Sequence, residues 1–160
     1  MNFKRISILL IIVGVIAALV TSAYTSKAGD DSSRKLVGTW LCDIPGEAPF
    51  QALQTFHADG TFTETSSLLG MGEEGPAHGV WSRQGKEYLN TFYLFAFDKD
   101  TGEHTGMFRV RLSLRLDSPD HFTTTYSALD FIDLDGNIIE LVPAGPGGDT
   151  CSRLSVVPVQ

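Results

Sequence analysis

The chain has 160 residues, 42% of them hydrophobic, with twelve Lys and Arg against nineteen Asp and Glu. That length suits one domain with a real core. The acidic balance argues against nucleic acid or an anionic membrane surface as a partner.

The N-terminus places Lys4 and Arg5 before an apolar run, 6–20, interrupted only by Ser7 and Gly14 and followed by the small residues Thr21, Ser22 and Ala23. This order of charge, apolar run and small residues is that of a secretory signal over 1–23, with cleavage after Ala23 or Ala28. The alternative is an uncleaved anchor, for which 6–23 would give roughly 27 Å of helix against a hydrocarbon core of about 30 Å. Under either reading the domain is extracytoplasmic, secreted or periplasmic, or anchored by 6–23, and this segment is its only membrane contact. From Gly29 on, nine basic residues face nineteen acidic ones, a difference of minus ten. Residues 24–35 are polar and free of aromatics apart from Tyr24, and read as a flexible lead into a domain at 36–158.

Beyond residue 36 the chain has strand character and no helical period. Hairpin chemistry recurs as "HADGT" at 57–61, "SRQGK" at 82–86, "DKDTGEHTG" at 98–106, "DSPD" at 117–120 and "DLDGN" at 133–137. Asp-Gly pairs and glycines supply the backbone angles of tight turns, so neighbouring strands are expected to be antiparallel. The strands drawn this way are 36–43, 50–57, 61–68, 79–83, 87–97, 106–116, 122–131, 137–142 and 150–157. In "MFRVRLSLRL" the residues Phe108, Val110, Leu112, Leu114 and Leu116 alternate with Arg109, Arg111, Ser113 and Arg115, giving one dry and one wet face. The arginine face is expected outside, or, if it faces the lumen, forms an anion-binding wall. The strand 87–97 is apolar on both faces, with Phe92 and Leu94 on one and Leu89, Tyr93, Phe95 and Phe97 on the other. It is therefore central and covered, or a subunit contact supporting a homo-oligomer.

The expected fold class is all-β, a closed or nearly closed up-and-down antiparallel barrel of eight or nine strands, because closure removes both free edges. Two segments interrupt the meander: the Gly-rich 69–78, a candidate lid, and 143–149, an irregular connection before the last strand.

"GTW", Gly38 to Trp40, on the first strand, together with Arg153 on the last, resembles the lipocalin-like, or calycin, pattern. There a first-strand Gly-x-Trp sits at the closed end of the barrel and a basic residue packs over the indole. The chain departs from lipocalins in lacking a "TDY"-like loop and a helix after the barrel. The resemblance implies a cup for a small, largely apolar molecule, with a minority of relatives acting as isomerases, synthases or haem carriers.

If the first and last strands close the barrel antiparallel, opposed residues share a constant index sum, and the register that sets Trp40 against Arg153 also sets Cys42 against Cys151. A disulfide across that seam is expected, favoured by an oxidising compartment. One objection stands: Leu154 and Val156 look like the apolar face of the last strand, which would turn Cys151 and Arg153 outward. A bulge would be needed, and two unpaired thiols are the alternative.

No catalytic motif, metal-ligand set or cofactor motif is present. His57, His78, His104 and His121 lie in or beside turns without an i, i+2 or i, i+4 partner. The Asp-rich turns lack the acidic residue at position twelve of a calcium loop, so they read as hairpin turns. Candidate pocket aromatics are Trp81, Tyr88, Tyr93 and Tyr126, with ordinary core packing as the competing role of each. Glu73, Glu74 and His78 are placed to act as general acid and base beside a ligand. Three functions remain open: binding of a small hydrophobic ligand, a cyclase or isomerase working in an apolar cup, and a structural or interaction module with a filled barrel.

Overall fold

The computed structural model describes residues 35–68 and 75–159. The apolar leader and most of the polar lead fall outside the described residues, as do Glu73 and Glu74. Within them lie nine strands: β1 (Gly38–Ile44), β2 (Phe50–Phe56), β3 (Thr61–Ser66), β4 (Ala77–Gln84), β5 (Glu87–Phe97), β6 (His104–Ser118), β7 (His121–Asp133), β8 (Ile138–Pro146) and β9 (Thr150–Arg153). Each strand from β1 to β7 pairs antiparallel with the next, and β9 bridges β7 and β1. The result is a closed eight-strand antiparallel barrel with β8 as an extra strand.

The turns follow the Asp chemistry of the sequence. Asp59 accepts hydrogen bonds from the Thr61 backbone N–H (2.9 Å) and hydroxyl (2.7 Å), and Gly60 takes φ +88°. Asp133 accepts from the backbone N–H groups of Asp135 (3.0 Å) and Asn137 (2.8 Å), with Gly136 at φ +85°. These side chains occupy backbone donors that the turn leaves without a strand partner.

The seam has the register given by the constant index sum. Trp40 opposes Arg153, and Cys42 opposes Cys151. Cys42 and Cys151 form a disulfide between residues 109 apart in sequence, and both are buried. No bulge is needed, because β9 ends at Arg153. The expected extension to 157 does not form, since the register would set Val156 opposite Val37, which precedes β1. Leu154 donates its N–H to Thr39 O (2.9 Å), and Leu154 and Val156 are exposed.

Residues 143–146, expected to be irregular, instead continue β8 to Pro146. Both prolines sit on a strand whose outer edge has no partner strand among the described residues, and an edge strand is where proline is tolerated in a sheet. Along β7 the pairings run from Ile132–Ile138 through Tyr126–Pro146 to Thr123–Thr150 and His121–Ser152. Thus β8 and β9 lie end to end on one edge of β7, joined through Gly147, whose N–H donates to Thr125 O (3.0 Å), and Asp149, whose carbonyl accepts from Thr124 N–H (3.1 Å). Only the β9 part reaches across to β1.

On β6, Leu112 and Leu114 are buried in the interior, while Arg109 and Arg111 hold Asp130 of β7. Arg109 Nε and Nη2 lie 2.8 and 2.7 Å from Asp130 Oδ2, and Arg111 Nη2 lies 3.2 Å from the same oxygen. The arginines thus belong to the outer face, and a carboxylate takes the place of any anion there. Burial pushes the Asp130 carboxyl up, but the Arg109 hydrogen bond and the two guanidinium charges together hold it below the usual range.

Candidate functional site

The interior divides into a packed half and a hollow half. The packed half lies at the Gly38 end, where Trp40, Phe56, Phe62 and Phe122 are each at most 1% exposed. Trp40 and Phe122 meet edge to face with centroids 4.9 Å apart, as do Phe56 and Trp81 at 5.9 Å, and Phe56 and Phe62 pack tilted at 4.9 Å. Both indoles satisfy their N–H on backbone carbonyls, Trp40 on Leu36 O and Trp81 on His57 O, each at 3.0 Å.

Gly38, Trp40 and Arg153 meet at this end. The Arg153 guanidinium carbon sits 4.0 Å from the Trp40 ring centroid, and its nitrogens donate to Val37 O (2.7 Å), Lys35 O and Pro119 O (3.0 Å). Gly38 has φ +139°, and a side chain there would run into the guanidinium.

Above Phe92, whose ring is 5.0 Å from that of Phe62, the interior opens into a cavity of about 690 Å³. Its wall is largely apolar, with Phe50, Phe92, Leu94, Phe108, Val110 and Leu112 among the lining residues. Ile44, Pro45 and Gly46 follow β1 onto its rim, and Pro146, Gly147 and Gly148 from the β8–β9 junction line it as well. The cavity therefore borders the place where the eighth position of the wall is handed from β8 to β9.

Four polar side chains, Gln54, Glu64, Ser127 and Asp149, interrupt this lining. Gln54 Nε2 donates to Glu64 Oε2 at 2.9 Å, and Gln54 is only 3% exposed with no hydrogen bond to its Oε1. Asp149 accepts from the Thr124 hydroxyl at 2.8 Å; burial pushes its carboxyl up, and that hydroxyl opposes the shift. Asn90, which does not line the cavity, pairs in register with Trp81 and Leu112, is 1% exposed and makes no hydrogen bond through either amide atom.

The four candidate aromatics are not brought together. Trp81 and Tyr88 are buried in the packed half, 6.1 Å apart between centroids, and neither lines the cavity. Tyr93 and Tyr126 are on the outer face, 39% and 56% exposed. For Tyr126 the cause is a bulge in β7. Leu114 pairs with Thr124 and Ser113 with Tyr126, so the extra residue Thr125 turns Tyr126 away from the side that Phe122 and Thr124 face. His78 is on β4 opposite Tyr93, and does not line the cavity. The lining residues missed from the sequence, Gln54, Glu64 and Asp149, carry an inward-facing signal only once the strand register is known.

No family model matches the sequence, and no curated protein matches it. Among solved structures, the crystal structure of Treponema pallidum Tp0751 (Pallilysin) is similar to this chain at 14% identity with a TM-score of 0.42, over 91% of this chain and 97% of that one. A likeness at that level says nothing of this chain's chemistry.

Proposed function

We propose that this chain is an exported, lipocalin-like barrel that holds a small hydrophobic ligand in the hollow half of its interior. One observation carries the reading: a packed aromatic floor lies beneath a cavity of about 690 Å³ with a largely apolar wall. That size is within the range of small-molecule sites, which span roughly 300–1,000 Å³. A barrel whose only task was to be stable would gain by filling this volume with side chains. Export is supported by the order of residues 1–23 and by the Cys42–Cys151 disulfide, which belongs to an oxidising compartment.

The test is saturable binding of the uncharged dye Nile red to the purified full chain, followed by its emission shift. One dye per chain is expected, with the affinity of Val110→Trp, which places an indole inside the cavity, reduced by about tenfold or more. A folded chain that takes up no dye, or a Val110→Trp chain that takes it up as well as the parent, would rule the cup out.

A further inference from the structure

We infer that the molecule held in this cup is an apolar alcohol, whose hydroxyl is seated at the floor of the cavity and donates to Gln54 Oε1. This rests on the ligand-binding reading above and assigns the chemical class of the ligand.

Gln54 stands at a position that the strand pattern reserves for an apolar side chain. On β2 the residues Ala52, Gln54 and Phe56 are all buried, so the glutamine continues the inward face between an alanine and a phenylalanine. In register it opposes Trp40 of β1 on one side and Glu64 of β3 on the other. It lines the cavity, which Trp40 and Phe56 do not, and so marks the level at which the packed half gives way to the hollow one. Phe50, on the same face, pairs with Ile44 at the rim. Four residues of strand separate Phe50 from Gln54, about 13 Å at roughly 3.3 Å per residue, so the polar group lies deep.

The Gln54 amide is only half used. Nε2 donates to Glu64 Oε2 at 2.9 Å, whereas Oε1, on a side chain 3% exposed, has no hydrogen bond. A buried acceptor left without a donor is unfavourable, and a ligand that brings one supplies what the floor lacks. What is missing is a single donor to a neutral acceptor. A hydroxyl brings one O–H, whereas an ether, ester or carboxylate head brings only acceptors and would set lone pairs against Oε1. Phe92, Leu94, Val110 and Leu112 would take the apolar remainder of the molecule.

Displacement of Nile red from the full chain by dodecanol and by its isomer methyl undecyl ether, both below their solubility limits, isolates the donor. The alcohol is expected to bind about fivefold or more tighter than the ether. Gln54→Leu should bring that ratio below about twofold, through weaker binding of the alcohol and unchanged or tighter binding of the ether. Gln54→Met serves as a second variant should Gln54→Leu fail to fold, as judged by near-ultraviolet circular dichroism. Gln51→Leu, on the exposed face of β2, controls for a general change in hydrophobicity and should leave the ratio unchanged. Equal binding of the two isomers to the parent chain overturns the alcohol assignment whether or not either variant folds. A ratio that survives loss of the Gln54 amide, or that changes with Gln51→Leu instead, overturns it too, while Nile red binding keeps the cup. If the dye and both amphiphiles fail to bind, the cup itself is lost and the assignment with it.

Discussion

Gly38 leaves open the space that Arg153 fills: the guanidinium lies over the Trp40 ring at 4.0 Å, where a side chain at 38 would collide with it. The glycine and the tryptophan of the first strand are thus two parts of one contact with the last. Through its donors Arg153 also ties the 35–37 segment and the β6–β7 turn to β9. Replacing Arg153 by Ala is expected to cost about 2–4 kcal/mol, as it removes the ring contact and leaves backbone carbonyls without donors. Gly38→Ala should cost about 1–3 kcal/mol, since the guanidinium must shift and φ +139° is strained for Ala. Urea unfolding midpoints of the two variants and their combination test this. The double variant should lose less than the sum of the singles, because both act on one contact.

The disulfide closes a segment of 109 residues, and chain entropy assigns such a link about 5 kcal/mol, a figure that real proteins often undershoot. The Cys42→Ser, Cys151→Ser double variant is expected to lose about 2–5 kcal/mol and to show faster amide exchange first in β9. Unchanged exchange in both β1 and β9 would show that the side-chain and ladder contacts close the barrel unaided.

Asn90 is the clearest energetic flaw in the interior, buried between Trp81 and Leu112 with both amide atoms unbonded. Leucine has a similar shape and nothing to desolvate. Asn90→Leu should therefore stabilise the fold by about 1–3 kcal/mol, read from the denaturant midpoint at constant m-value. A loss of stability would reveal a hydrogen bond that Asn90 makes in solution.

Asp149 sets a pH dependence of definite sign. Burial raises its carboxyl above the ordinary aspartate value of 3.8, so the folded chain holds this proton more tightly than the unfolded chain. Its contribution is fully present below 3.8 and is lost as pH rises through the folded value. Asp149→Asn keeps an acceptor for Thr124 without the charge. It should be the more stable chain at about pH 7, with a gap that narrows on acidification toward 3.8. Asp59, Asp98 and Asp133 are held below their usual range by hydrogen bonds within their turns, and contribute stability lost at still lower pH. Both chains share that loss, so it cancels in the comparison of their melting temperatures.

The strand order and the seam register were legible because they depend on local marks: Asp-Gly turns bound the strands, and two independent residue pairs agree on one index sum. The cavity wall was not, because an inward position depends on every bulge between it and a known one. Thr125 alone moves Tyr126 from the inside to the outside. The aromatics, the natural first choice for a ligand wall, went to the floor at Trp81 and Tyr88 or to the surface at Tyr93. Lining was left to aliphatic residues, a few phenylalanines and the Gly-Pro junction. The break in the last strand was hidden too, since "PAGPGGD" at 143–149 reads as a loop while its first half is the end of an edge strand, paired with β7 on one side and tolerant of proline on the other.

Because β8 and β9 share one edge of β7 but only β9 touches β1, circumference and doorway are governed by separate stretches of chain. Peeling β8 away would sever no rung of the ring, whose bolt, Cys42–Cys151, is fastened on the other stretch. The aperture can change its outline at the expense of one ladder while the hoop beneath it keeps its size.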